Sequence, residues 1–250
     1  MADALEDEGV IVWVLDVSQA WPGKSRIAKT IRIDTYPTKL ENFPMNESVI
    51  FDLSRLYMNQ QREVVTALCK ALFNYKVNLP KSKRRWHFIM FEECQLYLKQ
   101  SSMRSNASAE VLRLITVGRN YKIRYGLITQ FPSSVDKLPV KMTKQRYFGY
   151  TDEPNDKAYL SSFIGKDRAE ELETMTVGQF YYKKGRQIEK ISTPEYKRKI
   201  EQIEEIQPQK PVRKIIPPYV PTKKSDNSSF GFGVLAIFVI VALAWICSKL

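Results

Sequence analysis

Several kinds of active site are ruled out or disfavoured by what the chain has little of. Its 250 residues hold three cysteines, Cys69, Cys94 and Cys247. These are too few and too scattered for a disulfide framework or a zinc site, so a reducing, intracellular setting is expected. The single histidine, His87, lies inside an apolar stretch, where a core residue is the simple expectation. Charge-relay hydrolysis, which needs an imidazole at the surface of a cleft, is disfavoured. No internal repeat and no cleavable N-terminal signal are legible. A G-x-x-x-x-G-K-[ST] phosphate loop is also missing. The nearest approach, SQAWPGKS from Ser18 to Ser25, has Ser18 where the first glycine is needed. Its Pro22 removes a backbone N–H from a loop whose work is to aim N–H groups at phosphate. What the chain does have is positive charge, a net +12 and an isoelectric point near 9.5. That balance points to a polyanion, either nucleic acid or an acidic membrane surface.

The stretch WHFIMFEECQLYL, Trp86 to Leu98, organises the rest. Trp86 to Phe91 is short and aromatic, and reads as a strand buried on both faces. Glu92 and Glu93 follow at its C-terminal tip, the edge of an open α/β sheet where ligands bind. Such a pair can hold the water shell of Mg²⁺ and polarise an attacking water. A strand running into a solvated acidic turn is the plainer alternative. About thirty residues on, Tyr125 to Thr129 predicts a second strand with Gln130 at its tip, and Val117-Gly118-Arg119-Asn120 before it is a turn that projects a guanidinium. An amide beside a carboxylate strand can report on a γ-phosphate, and a fixed arginine can stabilise transition-state charge in a neighbouring subunit.

Upstream, VIVWVLD (Val10 to Asp16), which ends in a carboxylate, and SVIFDL (Ser48 to Leu53) predict two further strands. RIAKTIRIDTYP between them is at best a short helix. Ser54 is a candidate N-cap for a long helix with Leu56, Val64, Val65, Leu68, Ala71, Leu72 and Tyr75 near helical spacing. Pro80 closes that helix, and Lys81, Lys83, Arg84 and Arg85 form a basic turn before the central strand. A solvated loop is one reading of this turn, contact with a phosphate backbone the other. Lys99 to Ala109 reads as a polar loop carrying Arg104, and Glu110 to Val117 as a helix. Arg146 to Tyr150 predicts a strand, Asp156 to Phe163 a helix, and 178–183 with 187–191 a hairpin. Strands alternating with helices imply a largely parallel sheet with right-handed crossovers.

Taken together, SVIFDLSRL, FIMFEECQLYL, VGRNYKIRYGLITQFPSSVDK, YFGYTDEPNDKAYL and LETMTVGQFYY resemble, in order, the HerA/FtsK superfamily of P-loop DNA-translocating ATPases, viral packaging ATPases included. The resemblance covers roughly residues 47 to 185. It implies a RecA-like α/β core with a mostly parallel sheet, ATP and Mg²⁺ as ligands, double-stranded DNA as substrate, and a homo-oligomeric ring, usually a hexamer. On that resemblance Glu92 organises Mg²⁺ through water, Glu93 activates water, Gln130 senses the γ-phosphate and Arg119 acts across the subunit boundary. Lys83, Arg84, Arg85 and Arg104 are the nucleic-acid candidates, Arg104 because the loop after the carboxylate strand faces the central channel in ring-shaped relatives. The first acidic residue is Glu where many P-loop enzymes have Asp. SQAWPGKS matches the strand region after the phosphate-loop helix in these relatives, which makes MADALEDEG the tail of that helix and puts the loop itself upstream of Met1. Two other readings stay open: a Zot-like assembly ATPase of filamentous phage, and a non-enzymatic, membrane-anchored DNA-binding subunit derived from an ATPase.

From Thr193 the texture changes. The ATPase core is expected over 1–195, a charged helix and a Pro/Lys-rich linker over 196–229. FGFGVLAIFVIVALAWIC, Phe230 to Cys247, carries no charge. Its eighteen residues approach the roughly 20 that cross a bilayer core, so a transmembrane tail anchor over 230–250 is expected. Lys210, Arg213, Lys214, Lys223 and Lys224 before it would leave the globular part cytoplasmic or inside a virion.

Overall fold

The computed structural model describes residues 2–19, 21, 27, 29–34, 43–99, 106–193 and 238–240. Its centre is a sheet of β1 (Ile11–Asp16), β2 (Thr30–Arg32), β3 (Val49–Asp52), β4 (His87–Phe91) and β5 (Ile123–Thr129), in the spatial order β2-β3-β1-β4-β5. All four pairings among these strands are parallel. The reason lies in the strands themselves. β1, β3 and β4 are buried at every position, as expected when both faces of a parallel sheet are covered.

On one face Ile11, Trp13, Leu15, Ile89 and Phe91 pack with Val64, Val65, Leu68 and Leu72 of α2 (Met58–Asn78) and with Val111 and Leu114 of α3 (Asn106–Val117). On the other, Val12, Val14, Ile50, Phe88 and Met90 form a smaller cluster with Leu5 of α1 (Ala2–Asp7). Alternate residues of β1 thus go to opposite faces. Gly126 of β5 has a structural reason: a Cβ there would come within 3.1 Å of the Phe88 ring. After β5 come α4 (Lys137–Met142), β6 (Gln145–Phe148), α5 (Pro154–Ile164), α6 (Lys166–Glu171), β7 (Gln179–Lys184) and β8 (Gln187–Ser192). β6, β7 and β8 form a separate antiparallel sheet, the last two joined at Gly185, whose φ of +61° suits the turn.

Several expectations are corrected. The segment taken as at best a short helix contributes β2, because Thr30, Ile31 and Arg32 pair in parallel with Ile50, Phe51 and Asp52. Ser54 does not cap α2; its hydroxyl donates to Asp52 Oδ1 at 2.6 Å, and the helix starts only at Met58. α3 starts at Asn106, inside the expected loop. The transmembrane anchor is overturned as well. Among the described residues no helix is long and apolar enough to cross a membrane. Residues Phe238–Ile240, in the middle of that apolar run, form a strand, β9, antiparallel to β5, with Phe238 opposite Thr129 and Ile240 opposite Leu127. An uncharged run rich in β-branched residues can satisfy its backbone on an open sheet edge as well as in a helix, and hydropathy does not separate the two. The membrane localisation inferred from that helix is therefore withdrawn. The rest of 230–250, the charged helix and linker over 196–229, and Arg104 lie outside the described residues.

Candidate functional site

Parallel strands put all their C-terminal ends on one edge of the sheet, and here that edge is acidic. Asp16 ends β1 and is in register with Asp52, which ends β3. Leu15 is in register with Phe91, so Glu92 comes next to Asp16 on the other side. Asp16 and Asp52 are fully buried and Glu92 nearly so.

Each carboxylate has its own partners. Asp52 accepts from Ser54 and from Arg32 Nε at 2.9 Å. These bonds outweigh the opposing effect of burial and hold its carboxyl below the usual range. Asp16 accepts from the backbone N–H of Ser18 and of Trp21, both at 3.1 Å. Glu92 accepts from the Val17 N–H at 3.1 Å and the Ser18 hydroxyl at 2.9 Å. Burial, followed by hydrogen bonding and charge repulsion from Asp16, pushes the Glu92 carboxyl up to about 8. Glu92 is therefore biased toward its protonated form where it lies beside Asp16. The loop after β1 has turned the N–H groups of Val17, Ser18 and Trp21 toward two carboxylates. A phosphate loop would hold those groups ready for an anion.

Glu93 sits one residue beyond, in the left-handed region at φ 47°, which swings it away from its neighbour. Its Oε2 accepts from Gln95 Nε2 at 2.6 Å. Gln95 Oε1 in turn accepts from Thr129 Oγ1 at 2.7 Å, and Thr129 Oγ1 accepts from the Phe131 N–H at 3.0 Å. A three-residue relay thus ties Glu93 on the β4 tip to the backbone around Gln130 on the β5 tip. Glu93 and Gln130 are both half-buried on that edge. Tyr97, fully buried nearby, has no hydrogen-bond partner for its hydroxyl among the described residues.

Four of the sequence candidates are not here. Arg119 lies in the single helical turn Gly118–Tyr121 before β5, and Lys83, Arg84 and Arg85 precede β4. Since His87 is in register with Ile123, all four stand at the N-terminal edge of the sheet. β4 spans five residues, so they lie roughly 17 Å from Glu92 at 3.3 Å per residue. The structure brings Glu92, Glu93 and Gln130 together and leaves Arg119 at the opposite edge. The sequence reading passed over Asp16, Asp52, Gln95 and Thr129 as site residues. The first two carried a signal, since VIVWVLD and SVIFD end in acid just as FIMFEE does. The relay carried none.

This architecture decides the comparison with solved proteins. The fold resembles that of viral genome-packaging NTPases. The genome-packaging NTPase B204 of Sulfolobus turreted icosahedral virus 2, in complex with ATP-gammaS, matches with a TM-score of 0.54 and 16% identity over 76% of this chain and 86% of that one. B204, the DNA-packaging ATPase of Sulfolobus turreted icosahedral virus, matches with a TM-score of 0.53 and 18% identity over the same shares, 76% and 86%. No protein-family model matches the chain, and no curated protein matches it in sequence. The likeness is one of fold: an α/β core with a mostly parallel sheet, of the P-loop NTPase kind.

Proposed function

We propose that this chain is the core of a nucleoside-triphosphatase that moves DNA in packaging a viral genome, and that it works as a homo-oligomeric ring of the HerA/FtsK type. The observation that carries the reading is Glu92-Glu93 at the tip of β4 beside Gln130 at the tip of β5, in a fold like that of the packaging NTPases.

The residues divide the work by position. Mg²⁺ keeps most of its waters and takes one or two carboxylates together with phosphate oxygens; Glu92 beside Asp16 fits that donor set once its proton has left. ATP bound at this edge brings a phosphoanhydride whose γ-phosphorus is the centre of attack. Glu93 accepts a proton from the water whose oxygen attacks that phosphorus, the bond to the β-phosphate breaks, and ADP leaves. Gln130 offers its amide to a γ-phosphate oxygen, and Gln95 fixes where Glu93 points. Arg119 is too far away to serve its own subunit, so its guanidinium acts only on a neighbouring copy's nucleotide. Lys83, Arg84, Arg85 and Arg104 contact DNA.

The β-phosphate is not cradled by SQAWPGKS in this reading, since the N–H groups of Ser18 and Trp21 already serve Asp16, and that of Val17 just before them serves Glu92. That observation favours the second reading, a DNA-binding subunit without turnover. Mg²⁺-dependent ATP hydrolysis by the chain, and by a form extended upstream through a phosphate loop, separates the two. Turnover lost in Glu93→Gln with nucleotide binding retained is expected for the motor. Turnover that survives Glu93→Gln refutes the assigned role, and no turnover in either form leaves only the binding subunit.

A further inference from the structure

We infer that the N-terminal edge of the central sheet, opposite the acidic edge, is a preformed platform for a nucleic-acid backbone, with Arg84, Lys122 and Arg124 as its fixed contacts. The inference rests on the DNA-handling reading and extends it to residues that the basic turn alone did not identify.

Arg84 is held from several sides. Its Nε donates to the Leu79 carbonyl at 2.9 Å, Nη2 to Val77 at 3.4 Å and Nη1 to Asn120 at 3.5 Å, and its guanidinium lies 4.9 Å from the centre of the Tyr121 ring. Arg124, in register with Phe88, lies 4.8 Å from the centre of the Trp86 ring. Lys122 stands between them in sequence at φ +57°, and its carbonyl receives the His87 N–H, so its backbone position is set by the β4–β5 junction. Beneath this group Lys76 is buried, its ammonium donating to the Arg85 carbonyl at 2.5 Å.

Among the described residues none of Arg84, Arg85, Arg119, Lys122 and Arg124 forms an ion pair. Asp7 and Glu8 precede Gly9, whose carbonyl accepts from Arg85 Nη2 at 3.2 Å. The crowding is felt inside it. Burial, then Lys122, Arg84 and Arg85, push the Lys76 ammonium down to about 8, and burial, then Arg119, lower Arg124. Like charges gathered this closely with no acid among them are relieved by an external polyanion. Two of the charges are guanidiniums laid over rings, and one of these is also tied to carbonyls. Planar donors held at separate fixed positions, one just before β4 and one on β5, suit discrete phosphodiesters. A fluid layer of lipid headgroups needs no such fixing.

The test is fluorescence anisotropy of a labelled duplex of about 30 base pairs with the full chain at 50, 100 and 200 mM salt. The double variant Lys122→Asn with Arg124→Gln is compared with Lys166→Gln with Arg186→Gln, which removes the same charge at exposed sites elsewhere. Two lost phosphate contacts lower the slope of log affinity against log salt by about 1.8 and weaken binding at 100 mM by roughly tenfold or more. The control pair leaves the slope unchanged. Melting curves establish that both pairs fold, and Arg124→Gln alone, with an expected slope loss of about 0.9, serves if Lys122→Asn does not. Equal slopes for the two double variants, with wild-type binding intact, overturn the platform and leave the DNA reading standing. Absence of duplex binding at 50 mM removes both. Binding to anionic phospholipid vesicles in place of duplex, lost in the same double variant, overturns the nucleic-acid assignment.

Discussion

His87 gives the sharpest quantitative test of the core. Its ring is fully buried and lies edge-on to Trp13, with centroids 5.7 Å apart. Neither nitrogen makes a hydrogen bond of good geometry among the described residues, and the nearby backbone of Met45 and Arg85 offsets the effect of burial only in part. Burial first, then the charge of Lys76, drives its pKa down to about 3 from the ordinary 6.5. Between those values the unfolded chain binds a proton that the folded chain refuses. Stability therefore rises with pH through this window and is lost as pH falls below about 6.5. At pH 5 the penalty is about 1.5 pH units at 1.36 kcal/mol each, or about 2 kcal/mol; at pH 7 it is about 0.2 kcal/mol. His87→Phe keeps the aromatic contact and removes the titration. Any change in packing or in unsatisfied polar atoms adds an offset common to both pH values. The informative quantity is the change in the gap between the two proteins. Urea unfolding at pH 7 and pH 5 should show the variant's advantage growing by about 2 kcal/mol, a growth in the midpoint difference of roughly 0.7–1 M if m is 2–3 kcal/mol/M. A gap that stays constant between the two pH values refutes the argument and means that the imidazole has a proton acceptor or solvent at hand.

Other outcomes follow from the acidic edge. Glu92 has the opposite sign to His87: its carboxyl is raised from 4.5 to about 8, so the folded state holds the extra proton and stability falls as pH rises through that interval. The stability of Glu92→Gln relative to wild type should therefore grow by about 4–5 kcal/mol between pH 4 and pH 8.5, as read by urea unfolding at the two pH values. Gln95→Leu leaves Glu93 and Thr129 without their shared partner; in a form that turns over ATP it should lower kcat about tenfold with KM little changed, and a change in KM alone would count against a positioning role. Gly126→Val drives a branched side chain into the Phe88 ring, and should lower stability by about 2–3 kcal/mol in urea unfolding.

How much of this was legible in the sequence depends on whether a feature is local or is made by topology. The strands β1, β3, β4 and β5 are written in apolar runs too short for helices, and α2 in a repeat with Pro80 after it, so the sheet, its parallel sense and the acidic tip of β4 could be read directly. The short strand β2 could not, because its three residues have no period of their own and become a strand only by pairing with β3. The apolar tail misled for a physical reason: hydropathy registers the absence of charge, and a strand at a sheet edge satisfies Phe238, Val239 and Ile240 as well as a bilayer would. Register is the other thing that sequence hides. Asp16, Asp52 and Glu92 occupy separate segments, and only the pairing of Leu15 with Phe91 and of Asp16 with Asp52 brings the three tips into one row. The same register separates what the sequence reading had grouped. Arg119 and Gln130 flank a single strand of seven residues, near neighbours along the chain, yet a strand has two ends and they stand at opposite ones. Gln130 joins Glu93 on the acidic edge, whereas Arg119 joins Arg84, Lys122 and Arg124 on the basic one. The sheet thus sorts much of its charge by strand direction, with carboxylates where β1, β3 and β4 end and cations where β4 and β5 begin. That polarity would let one edge handle a metal and a triphosphate while the other holds a phosphate backbone, without either repelling the ligand of the other.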